Sequence, residues 1–177
     1  MTERLYVLVS GPPASGKSTL APAIAERLGL PLVAKDTIKD ALMSVMPPAD
    51  VDDSRRIGRA AVAAMFAVAA EAPRGAVLES AFYRSRALAD VERLPGRIVE
   101  VFCRCDEAVA EARYRLRAGT RHAGHFDRLR TADELRNPEV VEPVAGGWPV
   151  LEVDTNQTVD LEALLRRVDE VARKVSD

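Results

Sequence analysis

Cysteine is scarce in this chain: its 177 residues include two, Cys103 and Cys105. Placed two apart on a strand, they face the same way and cannot bridge each other. So few thiols exclude a disulfide scaffold and point to a reducing compartment. The pair also supplies too few ligands for a metal site. An excess of one charge is missing as well. The formal net charge is −2, without the basic track that extended nucleic acid requires. Long apolar runs are absent. The alanine-rich stretch from Ala60 to Ala70 falls far short of a bilayer span. Leu5 to Val9 is too short for a secretory core and runs straight into a glycine motif. There is no internal repeat, low-complexity tract or linker. These absences lead to the expectation of one soluble, cytoplasmic domain with no membrane partner, and they set no oligomeric state.

Apolar residues make up 47 % of the chain and charged residues 29 %, enough to bury a core. Short β-rich runs alternate with longer helical patterns, the mark of an α/β protein with a parallel sheet. Strands are predicted at Leu5 to Val9, Pro31 to Ala34, Ala76 to Glu79, Arg97 to Cys103 and Pro149 to Val153. Helices are predicted at Ser18 to Leu28, ended by Gly29, and at Thr37 to Val45, with Asp36 at its N-cap and Met46-Pro47-Pro48 stopping it. Further helices are predicted at Val51 to Ala72, from Asp106 to about Arg117, and at Thr158 to Val175. Right-handed crossovers place helices on both faces of a five-stranded, mainly parallel sheet.

Gly11-Pro12-Pro13-Ala14-Ser15-Gly16-Lys17-Ser18 matches G-x-x-x-x-G-K-[ST] at every fixed position, after a predicted strand and at the start of a predicted helix. The glycines let successive N–H groups converge on phosphate oxygens, and the helix start adds its positive dipole end. Lys17 is suited to the β- and γ-phosphates and the Ser18 hydroxyl to magnesium. Gly11, Ala14, Ser15, Gly16, Lys17, Ser18 and Thr19 are therefore the expected nucleotide contacts, and ATP with Mg2+ the expected cofactors. The fold class is that of a P-loop NTPase, a three-layer sandwich with a lid segment at about 112–130.

With this motif in place, the chain resembles the small P-loop kinases that include chloramphenicol phosphotransferase, gluconate and shikimate kinases, and polynucleotide 5′-hydroxyl kinase domains. Weaker matches are Lys35-Asp36-Thr37-Ile38-Lys39 after the second strand, Arg104-Cys105-Asp106 after the fourth, and the arginine-rich segment behind it. The resemblance implies that Asp36 is the base that accepts the proton of an acceptor hydroxyl. It also implies that Lys39, a helical turn further on, helps hold the acceptor or the transferring phosphoryl. Glu79, at the carboxyl end of the third strand, lies where ligands bind in open parallel sheets. There a carboxylate suits a magnesium-bound water or a substrate hydroxyl. Tyr83 and Arg84 follow closely and suit a polar organic acceptor.

From Ala112 to Arg130 the chain has six arginines and one acid, Asp127, and both of its histidines, His122 and His125, fall in the same stretch. Such a concentration of guanidinium groups is what a lid over nucleotide phosphates requires. Arg113 is assigned to the nucleotide, and Arg117 and Arg121, nearest a hinge at Gly119, to catalysis. Asp154 and Thr155 follow the last strand, where the resembled kinases pass the adenine ring. The expected function is phosphoryl transfer from ATP to a hydroxyl of a small molecule such as an antibiotic, a sugar or a metabolite. Two alternatives stand beside it: a 5′-hydroxyl nucleic-acid or nucleotide-sugar kinase, and a non-catalytic nucleotide-binding switch or ATPase.

Overall fold

The computed structural model describes residues 3–117, 122–126, 131 and 137–174. Five strands form one parallel sheet: β1 (Leu5–Ser10), β2 (Leu32–Ala34), β3 (Gly75–Glu79), β4 (Arg97–Arg104) and β5 (Val150–Asp154), in the order β2-β3-β1-β4-β5. The first strand is central, pairing with β3 from Leu5↔Gly75 and with β4 from Leu5↔Arg97. Its run Tyr6-Val7-Leu8-Val9 is fully buried, as a strand covered on both faces must be.

Alternation along β1 feeds two cores. Val7 and Val9 pack with Leu20 and Ile24 of α1 (Lys17–Leu28) and with Leu164 and Val168 of the last helix, α7 (Leu161–Lys174). Tyr6 and Leu8 pack on the other face with Met65 and Phe66 of α3 (Val51–Glu71) and with Ala87 and Val91 of α4 (Arg84–Glu92). Each such side chain contributes about 1.5–3 kcal/mol by leaving water. The remaining helices are α2 (Lys35–Val45), α5 (Glu107–Arg117) and the single turn α6 (Pro138–Val141). A 3-10 turn covers Ala123–His125.

Two helix starts differ from the sequence reading. Asp36 is not the N-cap of α2. Strand β2 runs into the helix without a loop, so Ala34, extended at φ −94° and ψ 125°, takes the cap position. Asp36 falls in the first helical turn instead, where a carboxylate still favours the helix dipole. The last helix begins at Leu161 rather than Thr158, because Asp160 Oδ1 accepts from the Ala163 N–H at 3.0 Å and sets the start there. Of the segment read as a lid, residues 112–117 form the second half of α5 and residues 122–126 surround the 3-10 turn. Among the described residues no helix is long and apolar enough to cross a membrane.

Candidate active site at the phosphate loop

Strand β1 stops at Ser10, and the chain turns through Gly11 to Gly16 into α1. Gly11 has φ 133°, and a Cβ there would lie 2.6 Å from the Cys103 carbonyl oxygen and 2.8 Å from Ser15 Oγ. The loop thus lies so close to β4 that only glycine fits. Gly16 takes the N-cap of α1 in the left-handed region, and no side chain caps that helix. The Thr19 N–H makes the first bond back to the Gly16 carbonyl at 3.0 Å, so the N–H groups of Lys17 and Ser18 precede the helix ladder. Ala14, at φ 63°, is a non-glycine residue in the same region, a strain that ligand-binding loops commonly hold.

Lys17 is buried, and its Nζ donates to the Pro12 carbonyl at 2.6 Å across the loop. Burial lowers its pKa from 10.5, while Glu79, Cys103 and Asp36 raise it and Arg117 lowers it further. Glu79, at the end of β3, shows the converse. Burial raises its pKa above 4.5, with Lys17 opposing and Asp36 reinforcing the shift. Glu79 Oε1 lies 3.4 Å from the Ser18 hydroxyl. The half-exposed Asp36 pairs with Lys35 at 2.8 Å. Lys17, Ser18, Glu79, Asp36 and Arg117 therefore lie within electrostatic reach around one crevice at the carboxyl ends of β1, β2 and β3. Arg117 sits 5.7 Å over the Tyr114 ring.

This donor set fits a magnesium-bound nucleotide. Ser15 Oγ is fully buried with no hydrogen-bond partner, an unfilled polar group inside the loop. A hydroxyl beside a carboxylate, as Ser18 and Glu79 provide, is the sparse protein contribution that magnesium takes when phosphates and water supply its other ligands. Among the described residues no group of three or more His, Cys, Asp or Glu forms a metal cage, so the pair would act with the phosphates.

The other expected site residues are placed as follows. Lys39 is 1 % exposed, and its Nζ donates to Ser54 Oγ at 2.7 Å in the α2–α3 interface. It does not face solvent, as a surface lysine would. Tyr83 caps α4 from outside, with the Arg86 guanidinium 5.6 Å over its ring, and Arg84 is exposed as the first residue of that helix. Thr19 is exposed in the first turn of α1. Thr155 is buried against Gly16, and its hydroxyl donates to the Arg104 carbonyl at 2.9 Å. Asp154 Oδ1 accepts from the Asn156 N–H at 2.8 Å in a local turn. Arg113 reaches the Asn156 carbonyl at 3.4 Å and Cys105 Sγ at 3.6 Å, which ties α5 to the end of β5. Arg121 lies outside the described residues.

Sequence reasoning missed three partners. Asn156 Oδ1 accepts from the Asp106 N–H at 2.8 Å. His125 Nε2 meets Asp40 Oδ1 at 2.6 Å, joining the 3-10 turn to α2. Glu100 is fully buried in β4, and its one sequence signal is a carboxylate inside the apolar run Ile98 to Phe102. A cleft of about 350 Å³ opens beside the loop, lined by Pro12, Pro13, Phe102, Arg104, Val141 and Glu142 among others.

A family model described as an AAA domain matches residues 7–137. No curated protein matches the chain in sequence. Among solved structures, a candidate kinase from Chloroflexus aurantiacus J-10-fl is 28 % identical with a TM-score of 0.84, over 96 % of this chain and 98 % of that one. A gluconokinase from Sinorhizobium meliloti 1021 is 25 % identical with a TM-score of 0.61, over 98 % and 94 %. A shikimate kinase from Acinetobacter baumannii, 17 % identical with a TM-score of 0.62 over 98 % and 94 %, shares the fold. The phosphate loop, the sheet order and these likenesses agree: the chain belongs to the AAA domain family, built as a small P-loop kinase.

Proposed function

We propose that the protein transfers the γ-phosphate of ATP to a hydroxyl group of a small molecule. The observation that carries this reading is the position of Asp36, at the end of β2 and close enough to act electrostatically on both Lys17 and Glu79. A switch or simple ATPase has no need of a carboxylate there, whereas transfer to an alcohol needs a proton acceptor near the phosphate lysine. The similarity to a gluconokinase points the same way.

In this reading the loop N–H groups, Ser15 and Lys17 hold the phosphates. Ser18 and Glu79 hold the magnesium ion, which supplies neutralising charge on phosphate oxygens when bound. Asp36 orients the acceptor hydroxyl and takes its proton, with the Lys35 ammonium paired to its carboxylate at 2.8 Å. Arg117, close enough to act on Lys17, offsets the negative charge that develops during transfer. Tyr83 and Arg84, at the start of α4, contact the acceptor in this reading. The segment around 112–130 acts as a lid.

The test is ATP consumption with magnesium across a panel of aminoglycosides, phenicols, sugars, sugar acids and short 5′-hydroxyl oligonucleotides, with Asp36→Asn measured alongside. Turnover that needs one acceptor and drops about 10²–10⁴-fold in the variant is expected. Acceptor-independent hydrolysis, equal in both proteins, would overturn the assignment.

A further inference from the structure

Glu100 stands in the middle of β4 with none of its surface exposed. A carboxylate removed from water is unfavourable unless its lone pairs are filled. Here Oε1 accepts from Ser10 Oγ at 2.6 Å and the Val144 N–H at 2.9 Å, and Oε2 accepts from the Ala145 N–H at 3.0 Å and Trp148 Nε1 at 3.1 Å. Four bonds exhaust the acceptor capacity of the group.

The donors come from two segments only. Ser10 is the last residue of β1, joined directly to Gly11 of the phosphate loop. Val144, Ala145 and Trp148 belong to the turn that leads from α6 into β5. That turn is closely built. Ala145 has φ 47°, and a Cβ on Gly146 would lie 2.4 Å from Leu88 of α4 and 2.5 Å from the Trp148 ring. Close neighbours of both segments line the cleft beside the loop, Pro12 and Pro13 after Ser10, and Val141 and Glu142 before Val144. Phe102, two residues along β4 from Glu100, also lines it. An apolar residue at position 100 would fill the strand at lower desolvation cost. A carboxylate adds four directional bonds and uses them to join the strand end that leads into the phosphate loop to the turn 144–148.

We propose that Glu100 is a positioning residue that fixes the phosphate loop relative to the turn 144–148, so that nucleotide bound at the loop is registered at Trp148. The inference rests on nucleotide binding at the loop and not on the transfer reaction or its acceptor.

Trp148 is the only tryptophan of the chain, so intrinsic emission reports this one place. The full-length protein is titrated with magnesium ATP while emission is followed, and the dissociation constant is measured separately by calorimetry. The titration is repeated with Glu100→Gln and Ser10→Ala. Wild-type emission is expected to change with the calorimetric midpoint. In Ser10→Ala that change should fall by at least half and affinity should weaken about three- to tenfold, the worth of one hydrogen bond. Glu100→Gln should lose more of both. If Glu100→Gln does not fold, Ser10→Ala carries the test alone, since it leaves three of the four bonds in place. Folded variants with wild-type affinity and wild-type emission response would overturn the proposal, whatever their melting temperatures, because a purely structural carboxylate affects only stability. A wild-type emission that stays flat while calorimetry shows binding would overturn it too. Absence of calorimetric binding would instead remove the nucleotide-site reading, and this inference with it.

Discussion

Lys17 and Glu79 show how a site can oppose the stability of its own fold. Burial lowers the pKa of Lys17 below 10.5, so the folded state bears a cost for its charge at neutral pH, and that cost fades as pH rises through the lowered value. Lys17→Met is therefore expected to leave the melting temperature of the nucleotide-free protein unchanged or higher while abolishing ATP binding. Thermal melts paired with calorimetry check this, and a destabilised variant would refute the argument. For Glu79 the sign is opposite. Its pKa is raised above 4.5, so protonation favours the fold at low pH and the gain is lost as pH rises through the raised value. Magnesium requires the ionised form, so affinity for magnesium ATP should fall on acidification at a pH above that of an ordinary carboxylate. Glu79→Gln should remove that pH dependence, and a variant that retains it would show that another group titrates. Cys103 provides a third contrast. Burial pushes its thiol up to about 12, whereas Cys105 is half-buried. A thiol reagent should label one cysteine per native chain, at Cys105, and two after unfolding; two fast labels in the native protein would contradict the burial. The passage of the motif from Gly11 to Ser18 out of β1 and into α1 was legible because it is carried by backbone and local spacing. Lys39 was not. A one-turn offset from Asp36 on α2 does not disclose that α3 packs over it, with Gly58 of α3 beside its aliphatic stem.

At the scale of elements, the five strands and five of the helices followed from periodicity, α4 and α6 did not, and helix starts moved by up to three residues because capping is settled by single hydrogen bonds. Asp160, and not Thr158, closes the first turn of α7. The joints between elements were invisible in sequence, since each pairs residues far apart in the chain. The contact between His125 and Asp40 is such a joint. His125 is 3 % exposed, and its bond holds the 3-10 turn against α2. Asp40→Ala should lower stability by about 0.5–1.5 kcal/mol, the worth of one hydrogen bond. It should also release protection of the His125 amide, which donates to the His122 carbonyl at 3.0 Å. Hydrogen exchange resolved to single residues would decide, and unchanged protection would mean that packing against Met43 and Pro48 holds the turn by itself.

At the scale of the whole molecule, a ligand that binds only the folded state must stabilise it in proportion to its excess. Magnesium ATP at a hundredfold excess over Kd adds about 2.7 kcal/mol. For a chain of this size that raises the melting temperature by roughly 5–11 °C. Lys17→Met should show no such rise, and an equal rise in both proteins would place the nucleotide elsewhere. The sheet order also bears on how the chain is made. The central strand β1 is made before both strands it pairs with, since the segments from Gly75 and from Arg97 are synthesised much later. Until then its run of apolar residues has two bare edges and no partner. The interval between synthesis of β1 and of β4 is thus one in which a chaperone matters, and a nascent chain halted before β4 would lack one flank of the strand that supports the phosphate loop.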